Sequence, residues 1–123
     1  MREKSASKPA ILIDLKKYRI RIHRNTLHLL GNPEYICLLV NPIDQIIAVC
    51  CGNKSDPLAH HINEKSLSNK NSYELYSTNL IQSLRDVCSF MKDNQTYRFY
   101  GEVNPIVKVA QFYMRDSVAV IHD

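Results

Sequence analysis

Glycine is scarce in this chain: three residues in 123, Gly31, Gly52 and Gly101, none near another. A glycine-rich phosphate loop therefore has nowhere to form. No apolar run approaches the ~20 residues that cross a bilayer as a helix, so no membrane partner is expected. The opening Met-Arg-Glu-Lys-Ser-Ala-Ser-Lys-Pro has no signal-peptide core, and the expected compartment is the cytoplasm. Among the four cysteines, Cys37, Cys50, Cys51 and Cys88, no pair has Cys-x-x-Cys spacing. They read as small hydrophobes in a reduced core. The histidines lack a His-x-x-x-His pair, so His60 and His61 beside Asp56, with His23 and His28 elsewhere, make a poor metal set. No nucleophile motif marks a catalytic residue. We expect no enzyme, no metal and no cofactor.

What the chain does have is positive charge in one place. Residues 1–24 carry eight basic groups and two acidic ones, whereas the remaining 99 residues carry eight basic and ten acidic. The whole excess of the net +4 lies in the first fifth of the sequence. That asymmetry is an electrostatic footprint for a polyanion, or else a solvated arm followed by an exposed strand face.

The chain also writes one plan twice. Residues 1–9 read as a flexible basic arm and Ala10–Leu15 as a strand. Tyr18, Ile20 and Ile22 then alternate with Arg19, Arg21 and His23, a half-buried strand with a nearly wholly basic outer face. A short helix follows from Asn25, which is a suitable cap, to Gly31. Tyr35–Val40 and Ile46–Cys51 are apolar strands around the turn Asn41-Pro42-Ile43-Asp44-Gln45. After a polar linker, residues 52–72, the order repeats. A strand at Tyr73–Tyr76 leads to a helix from about Thr78, capped by Ser77 or Thr78. That helix has a stripe of Leu80, Ile81, Leu84, Val87, Cys88 and Met91 and ends at Asp93-Asn94. Strands follow near Thr96–Tyr100 and Ile106–Tyr113, and a last short one at Ser117–Ile121. The second unit repeats Asn-Pro-Ile at Asn104-Pro105-Ile106. Tyr97, Phe99 and Tyr100 with Arg98 are either a stacking platform for single strands or, the reading we favour, a strand with one aromatic face packed inward. The fold class expected is α+β: duplicated strand-helix-strand-strand units, 10–51 and 73–121, within a single domain spanning 10–123.

The stretch Arg-Ile-Arg-Ile-His-Arg-Asn-Thr-Leu-His-Leu-Leu-Gly, Arg19–Gly31, resembles the AbrB-like (swapped-hairpin) motif, in which an arginine leads a strand and a short helix ends in Leu-Gly. The following segment to Cys51 is similar to that family's closing hairpin, and two units in one chain resemble its MraZ branch. The chain departs from the pattern at Tyr18, where glycine is usual, and at His23, where proline is usual. Leu27 and His28 replace an arginine pair.

The resemblance implies one small swapped-hairpin barrel and a DNA-binding regulator whose basic first strands meet double-stranded DNA. Carried over by position, the contacts are Arg19 and the preceding Lys16 and Lys17. Arg21 and Arg24 extend the basic strand, and phosphate contacts of this kind give affinity without base readout. A homodimer is expected, because symmetric DNA sites call for two basic halves. The alternative is an antitoxin-like module that dimerises or holds a protein partner without binding DNA.

Overall fold

The computed structural model describes residues 8–63 and 71–120. In chain order its strands are β1 (Ala10–Asp14), β2 (Arg19–His23), β3 (Tyr35–Asn41), β4 (Ile46–Cys51), β5 (His60–His61), β6 (Ser72–Tyr76), β7 (Thr96–Asn104), β8 (Val109–Tyr113) and β9 (Val118–Val120). Helix α1 (Arg24–Leu29) follows β2, α2 (Thr78–Val87) follows β6, and a 3-10 turn occupies Met114–Asp116. This is a small, mostly-sheet α+β domain.

Three of its hairpins turn on one device. A side-chain oxygen at the end of the first strand accepts two backbone N–H groups, and the residue four places on enters the left-handed region. Asp14 Oδ1 accepts from Lys16 (2.9 Å) and Lys17 (3.1 Å), ahead of Tyr18 at φ +52°. Asn41 Oδ1 accepts from Ile43 and Asp44, both at 3.1 Å, ahead of Gln45 at +55°. Asn104 Oδ1 accepts from Ile106 (3.0 Å) and Val107 (3.3 Å), ahead of Lys108 at +58°. Short Asp and Asn side chains satisfy turn N–H groups that would otherwise compete for strand partners. The third turn consumes Ile106, so β8 begins at Val109 and not at the expected Ile106.

All pairings are antiparallel, in the order β5-β3-β4-β8-β7-β1-β2-β6 with β9 on β7. Strand β7 joins two sheets. Its first half, Thr96–Tyr100, pairs with β1, and its second half, Gly101–Asn104, pairs with β8. At the switch stands Gly101, where a Cβ would lie 1.9 Å from the Gln111 carbonyl oxygen and 2.7 Å from Phe112 Cδ1. The two backbones approach there more closely than any side chain permits.

The curled sheet encloses one apolar cluster fed from both halves of the chain. It includes Ile11, Ile13, Ile20, Ile22, Leu27, Ile36 and Val49 from the first half, and Leu75, Ile81, Leu84, Phe99 and Phe112 from the second. Each such side chain contributes about 1.5–3 kcal/mol on full burial. Tyr97 and Phe99 point inward as expected.

Four local expectations need correction. The residue preceding α1 is His23, with no side-chain cap, so Asn25 lies inside the helix. Helix α2, capped by Ser77 Oγ accepting from Leu80 N (3.2 Å), stops at Val87. Cys88 and Met91 continue its stripe as buried turn residues, because the apolar period records burial rather than helicity. The stretch read as a linker contains β5, whose His61 and His60 pair with Tyr35 and Ile36. Of the cysteines only Cys88 is buried, and Cys51 is exposed. The basic arm lies outside the described residues except for Lys8 and Pro9.

Candidate nucleic-acid interface

Period two sends Ile20 and Ile22 into the core and turns Arg19, Arg21 and His23 to the outer face of the first sheet. Neighbouring strands then fix what those groups meet. Arg19 lies opposite Asp14 on β1 and Tyr76 on β6, and Arg21 lies opposite Leu12 and Glu74. Arg19 Nη2 donates to Asp14 Oδ2 at 2.9 Å, and its Nη1 lies 3.5 Å from Glu74 Oε2. Arg21 donates to the same Glu74 oxygen from Nε (3.1 Å) and Nη2 (2.8 Å). The outer face of β2 is therefore not the nearly wholly basic surface expected. Two carboxylates from flanking strands are woven into it, and both arginines are half-buried.

The electrostatics follow from that weave. Burial alone would raise the Asp14 carboxyl, but the Lys17 and Lys16 N–H groups and the Arg19 guanidinium together hold it below its usual range. For Arg19, burial opposes the charge, yet its bond to Asp14 and the Glu74 carboxylate raise its pKa further. His23 goes the other way. Burial lowers it first, and Arg98 and Arg21 lower it more, so the imidazole is neutral at neutral pH.

Lys16 and Lys17 stand exposed on the β1–β2 turn at one end of this face. Arg24 is exposed at the start of α1, and its backbone N–H donates to the Asn71 carbonyl at 3.0 Å. Arg98, read from the sequence only as part of the aromatic stretch and not as a duplex contact, pairs with Leu12 from the far side and stands two strands from Arg21. Its signal was present: inward Tyr97 and Phe99 require an outward Arg98. Its Nε is buried without a hydrogen-bond partner.

Other groups offer little chemistry. Among the described residues no three His, Cys, Asp or Glu side chains are grouped to hold a metal ion. His61 stacks on Tyr35 with ring centroids 4.8 Å apart and lies 3.6 Å from Glu34, while Cys37 Sγ donates to Asp56 Oδ2 at 3.2 Å. Burial first, and then Asp56, push the Cys37 thiol up to about 11, so it is protonated at neutral pH and no ready nucleophile. Among the described residues no helix is long and apolar enough to cross a membrane. No known protein family, curated protein or solved structure matches this chain.

Proposed function

We propose that this chain is a two-unit, swapped-hairpin domain of AbrB-like type that binds the backbone of double-stranded DNA through the outer face of its first sheet. The backbone around Arg19 carries the reading. Tyr18 stands where the resembled motif has glycine, and it occupies the left-handed region at φ +52°, which glycine enters without penalty. His23 stands where that motif has proline, and its φ of −67° is the value a proline ring imposes.

The pairing pattern supports the duplication. Exchanging β1–β4 with β5–β8 turns the β3·β4 and β1·β7 ladders into β7·β8 and β5·β3, and returns β2·β6 and β4·β8 to themselves. Two ladders, β1·β2 and β7·β9, lack a counterpart among the described residues. Tyr35–Asn41 and Arg98–Asn104 also share one residue-by-residue order of burial, and each leads into the same Asn-Pro-Ile turn.

On this reading Lys16, Lys17, Arg24 and Arg98 supply phosphate contacts, with Arg19 and Arg21 available at the cost of their carboxylate partners. Such binding weakens steeply as salt rises. The test is a titration of the purified protein with fluorescent duplex DNA across salt concentrations. A log–log slope of about −3 or steeper fits several phosphate contacts, and the absence of binding at low salt overturns the reading.

A second reading, a self-associating or partner-binding module, rests on Ile43 and Ile106. They occupy the same place in the two Asn-Pro-Ile turns and are 90% and 89% exposed. Light scattering of the pure protein tests it.

A further inference from the structure

We propose that the outer face of the first sheet holds a discrete site for one phosphoryl group, gripped by Arg98 and Arg21 with His23 beside it. The inference rests on the DNA reading for its natural occupant, a backbone phosphate, although inorganic phosphate presents the same chemistry.

Two neighbouring rows of side chains build the site. In one, Arg98, Leu12, Arg21 and Glu74 stand side by side on β7, β1, β2 and β6. In the next, Tyr100 lies opposite Ala10 and His23 opposite Ser72, and the register that pairs Ile11 with Ile22 places Ala10 beside His23. Small Ala10, only 2% exposed, lies between the larger Tyr100 and His23 in that row. Arg98 and Arg21 stand two strands apart, roughly 10 Å between backbones. Glu74 takes Nε and Nη2 of Arg21, so a tetrahedral anion between the two arginines would meet Arg21 through Nη1 or draw it away from Glu74.

The charges are unequal in a telling way. Glu74 and Asp14 neutralise Arg21 and Arg19, whereas no acidic partner faces Arg98 among the described residues. Only two buried side-chain polar atoms of the described residues lack a hydrogen-bond partner, and they stand on the strands to either side of β1 and β2: Arg98 Nε on β7 and Ser72 Oγ on β6. Both can donate, and the missing counterpart is an acceptor. An unmade bond at a buried donor is costly. Phosphate supplies several acceptors and suits a pair of guanidinium forks.

Occupancy changes His23. The groups facing it are Arg21 on its own strand, Ser72 and Glu74 on β6, Arg98 and Tyr100 on β7, and Asp14 further along β1. Burial first, and then the two arginines, hold it neutral; a bound anion offsets the arginines and favours the imidazolium. Binding of a backbone phosphate, whose charge is fixed in this range, should therefore tighten as pH falls through the histidine range.

The test follows the His23 C2 proton by NMR while pH is varied, in inorganic phosphate and in chloride of matched ionic strength. The proposal expects a higher titration midpoint in phosphate. Arg98→Gln should weaken phosphate binding roughly tenfold and remove that difference. Should Arg98→Gln fail to fold, His23→Gln serves instead. Inorganic phosphate itself takes up a proton in this range, so the comparison is with the native protein: acidification should favour phosphate binding less in His23→Gln. An identical pH profile overturns the site. A midpoint equal in phosphate and chloride, or a phosphate-specific rise unchanged in Arg98→Gln, overturns the site. If phosphate moves His23 but the native chain binds no duplex at low salt, the site stands and the DNA reading falls. If native and Arg98→Gln proteins bind duplex equally and phosphate leaves His23 unmoved, the site falls and the DNA reading stands.

Discussion

Arg21 and Glu74 face each other across the β2–β6 ladder, and a single Glu74 oxygen takes two hydrogen bonds from that arginine while Arg19 approaches it at 3.5 Å. One carboxylate thus serves two cations, and any polyanion on this face competes with it. Glu74→Gln should lower stability by about 1 kcal/mol, a modest figure because the groups remain partly solvated. On the DNA reading the same change should tighten duplex binding, since it releases Arg21 and leaves Arg19 with Asp14 alone. Urea unfolding and a duplex titration measure the two effects. Lost stability without tighter binding would mean that the network serves the fold alone.

Gly101 and Gln111 make a sharper structural prediction. The clash at Gly101 involves the backbone carbonyl of Gln111 and cannot be relieved by rotating a side chain. Gly101→Ala should cost about 3 kcal/mol, read from the urea midpoint at unchanged slope. A loss below about 0.5 kcal/mol would show that β7 does not pass between the sheets at that point.

The three capped turns predict a ranked series. Asn104→Ala removes two exposed turn bonds and Asn41→Ala three, one of them from its Nδ2 to Asp44, and each should cost about 1 kcal/mol. Asp14→Ala should cost more, about 3 kcal/mol, because its buried carboxylate also pairs with Arg19. Equal losses at all three positions would argue that Arg19 gains nothing from Asp14 in the fold.

Much of this fold was legible because alternation is a strong signal. Tyr18–His23, Tyr35–Val40 and Ile46–Cys51 lie within a residue of their strands, and Ser77 caps α2 as read. Two-residue β5 was invisible, since His60-His61 has no period and is a strand only by virtue of Tyr35 and Ile36. The candidate site was harder to read. Arg19, Arg21, Lys16 and Lys17 could be picked from charge, and Asp14 lies only five residues before Arg19 across the β1–β2 turn, but Glu74 and Arg98 come from strands distant in sequence. No local pattern records which strand lies beside which.

Acid should destabilise the protein from the histidine range downward. Burial holds His23 and His60 below their ordinary 6.5, so as pH falls through that value the unfolded chain takes up protons first. Stability is full above about 6.5 and declines as pH drops toward the folded pKa values. The Asp14 carboxyl, held below its ordinary 3.8, adds a separate loss only in stronger acid. Thermal melts between about pH 7.5 and 5.5 should show the midpoint falling, and His23→Gln with His60→Gln should flatten that slope. A midpoint that rises on acidification would contradict the burial of both imidazoles.

The two Asn-Pro-Ile turns carry the last prediction, which concerns self-association. Ile43 and Ile106 cannot serve the fold, being 90% and 89% exposed, and turns with such tips lose apolar stabilisation that a partner could restore. Val107 is exposed beside Ile106, and Leu39 lies exposed along β3. A stable interface needs about 800 Å² from each partner, more than two turn tips provide, so the outer face of the second sheet has to take part. Light scattering at high micromolar concentration should report a dimer. Ile43→Ser with Ile106→Ser should shift it toward monomer while unfolding changes by less than about 0.5 kcal/mol, as exposed positions allow. A native protein that stays monomeric throughout would remove self-association and leave the exposed isoleucines to a different partner.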